Sequence, residues 1–230
     1  MPTLLNIMKL LAALAASIAL LIAVPAWVFG VIEEPVVVFV MISYFVFFLG
    51  AVWRVVWHGK LAERKADRQV RTTSGRWSSL LSIAGMLGFH WISLYTYALG
   101  DRISLGEPVI SYIVFVLSLI LLHAALIVNQ MAIITLGRFF DRLTIKDDHR
   151  LVTEGIYGCV RHPIYTSYIL LFLGYCLMLQ SFWGLLLLTA TCLVWFGKRI
   201  AIEEDMLEEE FGDEYRRYCQ RSKRLIPMVF

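Results

Sequence analysis

The sequence predicts an all-α membrane protein, a polytopic bundle of about six transmembrane helices followed by a cytoplasmic, amphipathic C-terminal helix. The first reason is composition, since 59% of the residues are hydrophobic and only 17% are charged, unlike an ordinary soluble domain. The second is that the apolar residues gather into long stretches with hardly any charge. The third is that lysine and arginine cluster beside those stretches, as they do in cytoplasmic loops.

Six apolar stretches give the predicted spans, which are residues 10–32, 36–57, 80–99, 108–136, 164–179 and 182–196. The last two are shorter than the roughly 20 residues that a comfortable crossing needs, and only Gln180 and Ser181 stand between them. They therefore predict a tight helical hairpin. The first stretch has a signal peptide as its alternative, but its apolar run is long for one and lacks a good cleavage site, which favours a retained span.

Three basic regions set the expected orientation, namely residues 58–78, residues 138–154 and the tail from Lys198. The positive-inside rule places them in the cytoplasm, and six spans place both termini there too. The net charge is only +3 and the basic residues form no single patch, which argues against a nucleic-acid partner. The four cysteines have neither CxxC nor zinc-ligand spacing, so free thiols are expected, without a disulfide or a metal.

A basic step (residues 161–163, Arg-His-Pro) stands at the mouth of the fifth span, within GIYGCVRHPIYTSYILLF. Proline is favoured at the first position of a helix, so Pro163 is expected to begin this span. The N–H groups of Ile164 and Tyr165 and the helix dipole then form a natural anion site, to which Arg161 adds positive charge.

The predicted tail helix offers the opposite charge. Arg199 and Glu203 lie four residues apart on one helix face, with Glu204 adjacent, where the sixth span leaves the membrane. A ligand that carries both a carboxylate and a cation suits a site between this face and the basic step. Taken alone, the basic step could be only a membrane anchor, and Arg199 and Glu203 only a surface ion pair.

Other polar and aromatic residues are expected to be structural. His90 and His123 lie within spans and are expected to face the helix bundle, without a catalytic role. Residues 208–210, all glutamate, are interpreted as the solvated face of the tail helix. Tyr215 and Tyr218 are expected to pack the tail against the membrane surface rather than to touch a substrate.

Together these motifs resemble the isoprenylcysteine carboxyl methyltransferase family, which is related to the phospholipid N-methyltransferases. The likeness covers about residues 130–230 and rests on LGRFF, LVTEGIYGCVRHPIY and EEDMLEEEFGDEYRRYCQRSKRLIP, which follow one another in the family's order. Residues 130–230 are therefore expected to form the methyltransferase region. Residues 1–129 carry none of these motifs and are expected to form four N-terminal spans that give the substrate access.

The resemblance implies S-adenosylmethionine bound near the cytoplasmic membrane surface and a lipophilic acceptor that approaches from the bilayer. It implies a cofactor-binding set of Leu151, Val152, Gly155, Tyr157, His162, Pro163, Tyr165 and Glu204. It also implies that Arg199 holds the carboxylate of the acceptor. Glu203, one helical turn further on, is expected to orient the guanidinium and to line the cofactor site on the side of the tail helix.

The implied chemistry needs few groups, because methyl transfer from a sulfonium is a direct displacement that depends on alignment and exclusion of water. Arg199 favours carboxyl O-methylation of a prenylcysteine-like acceptor, which needs no general base. N-methylation of a phospholipid amine or S-methylation of a small thiol are alternatives, for which His162 or Glu203 is the nearest base. Two alternatives of other kinds are a non-catalytic membrane protein with a vestigial site and a membrane sterol reductase, although no GxGxxG motif supports the reductase.

Overall fold

The structure is a computed structural model, which describes residues 4–58, 65–101, 103, 108–136 and 151–226. In this part of the chain the prediction of an all-helical fold is confirmed. The helices are α1 (Leu4–Ile18), α2 (Val24–Val28), α3 (Pro35–His58), α4 (Lys65–Ala98), α5 (Pro108–Leu136), α6 (Pro163–Met178), α7 (Phe182–Phe211) and α8 (Asp213–Arg221). A π-helical stretch, Ala19–Ala23, joins α1 to α2, and a 3-10 turn, Gly155–Gly158, precedes α6.

The apolar helices identify an integral membrane protein. Three helical stretches are long and apolar enough to cross a bilayer, namely Leu4–Val28, Pro108–Leu136 and Phe182–Phe211. Two shorter apolar stretches, Pro35–Gly50 and Pro163–Met178, accompany them. Large apolar side chains such as Ile134 and Leu193 are largely exposed on the outer faces of their helices, where lipid would cover them.

The interior of the bundle is built around the imidazole of His90, which is completely buried. Its Nδ1 lies 2.6 Å from the carbonyl oxygen of Met86, and because a carbonyl only accepts, Nδ1 carries the proton. In the neutral ring Nε2 then accepts a hydrogen bond from the Tyr44 hydroxyl, at 2.9 Å. Tyr175 donates to the carbonyl oxygen of His90, at 2.8 Å, so His90 joins α3, α4 and α6.

The two histidines of the predicted spans behave differently. His90 faces the bundle as predicted, but the same prediction is wrong for His123, which is exposed on α5. His123 does not need a partner on another helix, because its Nδ1 lies 2.7 Å from the carbonyl oxygen of Leu119, one turn back on its own helix.

The predicted hairpin between α6 and α7 is confirmed, and its turn is fixed by two residues. Gln180 has a positive φ of 50°, and Ser181 caps α7 by accepting a hydrogen bond from the N–H of Gly184 at 3.0 Å. The Thr96 hydroxyl of α4 in turn donates to the Ser181 hydroxyl at 2.8 Å. The turn therefore rests on α4, and α7 starts at a defined point.

The predicted sixth span and the start of the tail form one helix, although the sequence predicts a tail helix that follows this span as a separate element. The helix α7 continues without a break from Phe182 to Phe211 and ends at Gly212, which has a positive φ of 49°. Residues 198–211 contain no proline or glycine and are rich in Glu, which favours helix, so nothing ends the helix earlier.

Helices α5 and α6 approach closely where Gly174 faces Leu122. A Cβ atom at Gly174 would lie 2.9 Å from Cγ of Leu122 and 3.3 Å from its backbone nitrogen. By contrast, a Cβ atom at Gly197 of α7 would meet no neighbouring atom within 4 Å. The two glycines therefore give a matched pair for measuring how much this close approach contributes to stability.

We expect Gly174→Ala to lower the free energy of unfolding by about 1–3 kcal/mol, because α5 and α6 must move apart to accommodate the methyl group. Gly197→Ala should leave stability unchanged or raise it by up to about 1 kcal/mol, since alanine favours helix. Thermal unfolding of both variants in the same detergent measures the difference. Equal stabilities of the two variants would show that α5 and α6 are not closely packed at this point.

Candidate functional site

The basic step is held in place by the C-terminal strap (residues 222–226). Pro163 is the first residue of α6, as predicted, and His162 is its N-cap. The N–H of Arg161 donates to the carbonyl oxygen of Lys223 at 2.7 Å, and the N–H of His162 donates to that of Arg224 at 3.0 Å. This pairing is the parallel bridge between Val160 and Lys223. The strap therefore fixes the backbone from which the side chains of the basic step project.

Glu204 of α7 is the centre of a charged cluster. Its Oε1 accepts a hydrogen bond from Nε of Arg161 at 3.0 Å and lies 3.3 Å from Nε2 of His162. Its Oε2 accepts from Nε of Arg224 at 2.8 Å, and Nη2 of Arg224 lies 2.6 Å away. The side chains of Arg161 and Glu204 are only 10% and 11% exposed. One carboxylate therefore joins α7, the basic step and the strap.

The charges of this cluster stabilise one another. Glu204 lies beyond the apolar part of α7 (residues 182–197). Burial by itself raises the pKa of this carboxyl, but hydrogen bonds from His162, Arg224 and Arg161 outweigh burial and lower its pKa to about 2. Burial likewise lowers the pKa of Arg161, and the hydrogen bond to Glu204 outweighs it and raises the pKa. Both groups are therefore charged throughout the ordinary pH range.

A second group of side chains adjoins the first and contains Arg199 and Glu203. The Tyr165 hydroxyl donates to Oε1 of Glu203 and accepts from Nε of Arg199, both at 2.5 Å. Nε of Arg199 lies 3.6 Å from the same carboxylate oxygen of Glu203. Nδ1 of His162 lies 3.7 Å from Oε2 of Glu203, while its Nε2 faces Glu204. The imidazole of His162 therefore connects the two groups into one network.

The segment before the basic step packs against α8. Leu151 is buried in a small apolar cluster with Tyr215 and Tyr218. The Tyr218 hydroxyl donates to the carbonyl oxygen of Tyr157 at 2.6 Å. The expectation that these tyrosines pack against the membrane surface is therefore wrong. They are buried because the turn at Gly212 directs α8 back over this segment.

The remaining predicted residues lie along the same segment. Gly155 has a positive φ of 55°, and a Cβ atom there would lie 2.9 Å from the Thr135 hydroxyl oxygen of α5. Both the backbone conformation and the lack of space require glycine at this position. Val152 is half-buried between Leu151 and this turn.

The structure brings most of the predicted site residues together. His162, Tyr165, Arg199, Glu203 and Glu204 form the connected network, and the segment 151–157 lies beside it against α8. Their predicted roles toward a cofactor or an acceptor stay predictions. Residues 137–150 of the cytoplasmic loop lie outside the described residues, as do residues 59–64 of the first basic region.

One site residue, Arg224, is missing from the predicted set. Its signal in the sequence is the RLIP ending, which follows the family pattern but gives no indication of what the arginine contacts. The contact with Glu204 spans 20 positions of the chain and depends on the return of the strap over the basic step, which helical periodicity cannot show.

We expect Glu204→Gln to destabilise the protein by on the order of 3 kcal/mol, because it leaves the buried Arg161 without its carboxylate. Glu208→Gln is the matched control on the same helix, since the Glu208–Arg216 pair is solvent-exposed and its loss should leave the unfolding midpoint unchanged. Thermal unfolding of both variants at pH 7 measures this contrast.

The same variants test the charge of Glu204. Because the fold lowers the pKa of Glu204, the ionised carboxylate stabilises the folded protein at pH values above its ordinary pKa of 4.5. This contribution is lost as the pH falls from 4.5 towards 2. The wild-type protein should therefore lose stability across this interval more steeply than Glu204→Gln. Parallel curves for the two proteins would contradict the assignment of Glu204 as the charged centre.

Comparison with known proteins gives the same family from independent evidence. The family model for phospholipid methyltransferases matches residues 107–214, which include the basic step and both carboxylates of the network. The structure of a eukaryotic intramembrane Ras methyltransferase, an isoprenylcysteine carboxyl methyltransferase, is similar in fold, with a TM-score of 0.54 and 22% identity. That likeness covers 94% of this chain and 75% of the other.

Two curated relatives come from Arabidopsis thaliana. Protein-S-isoprenylcysteine O-methyltransferase B is 36% identical over 108 residues, which are 45% of this chain and 54% of the relative. Protein-S-isoprenylcysteine O-methyltransferase A is 30% identical over 146 residues, which are 58% of this chain and 74% of the relative. The match thus spans about half the length of the first relative and nearly three quarters of the second. On this evidence the chain belongs to the isoprenylcysteine carboxyl methyltransferase family.

Proposed function

We propose that this protein is an S-adenosylmethionine-dependent methyltransferase that methylates the carboxylate of a prenylcysteine-like, lipophilic acceptor. The observation that carries the proposal is the position of Arg199, two residues beyond the apolar part of α7 and fixed by Tyr165 and Glu203. A cation held at the edge of the membrane suits an acceptor with an apolar tail and an ionised head. The names of the curated relatives support the same chemistry.

The residues present fit the proposed cofactor, which carries a sulfonium, an ammonium and a carboxylate. Two carboxylates and two arginines meet around His162, so the site contains groups of both charges. The residues that would hold the cofactor are Leu151, Val152, Gly155, Tyr157, His162, Pro163, Tyr165 and Glu204.

The part of Glu204 in this set is indirect. Both of its carboxylate oxygens accept hydrogen bonds from the protein itself, from Arg161, His162 and Arg224. We therefore assign it to positioning these three side chains around the cofactor. Glu203 has the more direct role, because it receives the Tyr165 hydroxyl and faces both His162 and Arg199.

Bound S-adenosylmethionine supplies an electrophilic methyl group on a positively charged sulfur. Arg199 holds the acceptor carboxylate by charge-assisted hydrogen bonds, which a planar guanidinium forms with good directionality. The Tyr165 hydroxyl fixes the plane of that guanidinium by accepting from its Nε, and Glu203 fixes the hydroxyl in turn. A carboxylate is ionised at neutral pH, so no residue has to remove a proton. The protein acts mainly by aligning the reactants and excluding water.

An aromatic surface leads from Arg199 into the bundle and supports a lipophilic acceptor. The Tyr165 ring lies 5.3 Å from the ring of Phe196 on α7. Phe196 stacks on Tyr168 at 6.4 Å, and Tyr168 stacks on Phe48 of α3 at 6.1 Å. Aromatic rings at this spacing offer an apolar wall to an unsaturated hydrocarbon chain. The acceptor's tail would therefore extend from Arg199 toward α3.

We further propose six spans with both termini and the active site in the cytoplasm. The spans are α1 with α2, α3, the apolar end of α4, α5, α6 and the apolar part of α7. The lysine and arginine residues support this orientation, since they cluster at residues 58–78 and beyond residue 197.

Reporter fusions test the topology. Fusions after Ser78 and at the C-terminus should report a cytoplasmic position, and a fusion after Asp101 should report the opposite side. The connection around Asp101 lies between two proposed spans and carries little positive charge, so the positive-inside rule places it outside the cytoplasm. A cytoplasmic signal at Asp101 would overturn the span count.

The methyltransferase activity is tested with the purified protein and radiolabelled S-adenosylmethionine. A farnesylcysteine analogue, a phosphatidylethanolamine and a small thiol are offered in parallel. We expect the label in a base-labile methyl ester of the farnesylcysteine analogue, because Arg199 is proposed to bind the carboxylate of the acceptor. Label in the lipid amine or the thiol would instead support one of the alternative acceptors, and failure to bind S-adenosylhomocysteine would favour a non-catalytic membrane protein.

In the same assay Arg199→Lys should lower kcat/KM for the farnesylcysteine analogue roughly 10- to 100-fold, the scale of one hydrogen bond to a charged group. Lysine keeps the positive charge but loses the planar guanidinium and the bond from Nε to Tyr165. Affinity for S-adenosylhomocysteine should be unchanged. Arg216→Lys, at an exposed ion pair, is the control and should be fully active. Full activity of Arg199→Lys would exclude the proposed role of this arginine.

A further inference from the structure

The C-terminal strap follows the start of α6 toward the apolar layer of the bundle. Its backbone pairs first with residues 159–162, which precede α6, through hydrogen bonds of Lys223 and Arg224. Next along the strap, the carbonyl oxygen of Leu225 accepts a hydrogen bond from the hydroxyl of Thr166, the fourth residue of α6, at 2.7 Å. Because α6 is one of the apolar helices of the bundle, the strap comes nearer to the hydrocarbon region as it proceeds.

The side chains of the strap change character in the same direction. Lys223 and Arg224 are exposed, whereas Leu225 packs against the apolar core of the bundle. Ile226, the next residue, exposes 53% of its surface. Since it follows a residue that packs on a membrane bundle, lipid would cover this apolar side chain and remove it from water. Basic residues followed by apolar ones are typical of a segment at the membrane surface.

Two basic residues at the polar end of the strap are available to a partner outside the protein. Arg221, which ends α8, and Lys223 are exposed, and neither side chain forms an ion pair or a hydrogen bond within the part of the chain that the structure describes. Arg216 and Arg224, by contrast, each pair with a glutamate. The dipole of α8 favours a cation at Arg221, but it does not account for Lys223.

We propose that the strap binds anionic lipid, with Arg221 and Lys223 on the phosphate of a negatively charged phospholipid headgroup and Ile226 in the hydrocarbon below it. A phosphate accepts charge-assisted hydrogen bonds from a guanidinium and an ammonium. The exposed Ile226 favours a lipid headgroup over a free phosphate, because only a lipid covers the apolar side chain as well. Membranes that contain anionic lipids attract basic segments of this kind to their surface.

This contact would affect the site, because the strap fixes the backbone of the basic step. The N–H groups of Arg161 and His162 donate to the carbonyl oxygens of the strap. A lipid that binds the strap only while it is paired with the basic step stabilises the paired state. These hydrogen bonds should therefore open less often when anionic lipid is present.

Nanodiscs of two lipid compositions test the inference, namely phosphatidylcholine alone and an equimolar mixture with phosphatidylglycerol. In the mixture we expect a higher Tm and slower amide hydrogen exchange in the strap and the basic step. The double variant Arg221→Gln/Lys223→Gln should lose most of both gains, since each basic residue near an anionic surface contributes on the order of 5-fold in affinity. Arg216→Gln is the matched control and should keep both gains, because it removes the same charge from a side chain that is already paired.

Three results would overturn the inference. The first is a wild-type protein with equal Tm and equal exchange in the two lipids. The second is a double variant that keeps both gains, which would mean that another surface binds the lipid. The third is an equal gain when inorganic phosphate is added to phosphatidylcholine nanodiscs, which would mean that the strap binds a free anion. None of these measurements uses cofactor or acceptor, so a failure of the proposed function would leave this inference in place.

Discussion

The arrangement of the site depends on the carboxylate of Glu204. It accepts hydrogen bonds from the basic step and from the C-terminal strap, two segments about 60 positions apart, and it projects from a third element, α7. Because Arg161 also donates to the carbonyl oxygens of Cys219 and Ser222, the ion pair and the strap hold one another in place. Buried charges are costly unless they are paired in this way. The imidazole of His162 lies between this carboxylate and that of Glu203.

Glu203 and Glu204 have different roles, because they are neighbours in the sequence but have different surroundings. Glu204 is saturated by cations from the protein, whereas Glu203 meets a tyrosine hydroxyl, Arg199 and one edge of His162. The first arrangement keeps the backbone segments together and the second lies closer to the apolar part of α7. Adjacent helical residues project about 100° apart, which is how neighbouring positions come to face different partners.

Local features of this site are predictable from the sequence, and long-range ones are not. The four-residue spacing of Arg199 and Glu203 and the helix start at Pro163 are encoded locally, and both are present in the structure. The hydrogen bond of Tyr165 to both of these side chains and the contact of Arg224 with Glu204 depend on how distant elements pack. Likewise, the absence of glycine and proline from residues 198–211 allows α7 to continue to Gly212, but neither this continuity nor the return of α8 onto Leu151 was predicted.

The shortness of α6 has a consequence for the surrounding lipid. Its 16 residues extend over about 24 Å, less than the roughly 30 Å hydrocarbon thickness of a typical bilayer. Hydrophobic mismatch of this kind draws the lipid headgroups inward around the helix end and thins the membrane locally. Arg161 and His162 lie at that end, so in the proposed topology this thinning would occur beside the proposed site. An amphiphile anchored in the bilayer would then present its polar end to Arg199 without leaving the lipid, because the boundary between water and hydrocarbon would lie deeper in the bilayer at this point.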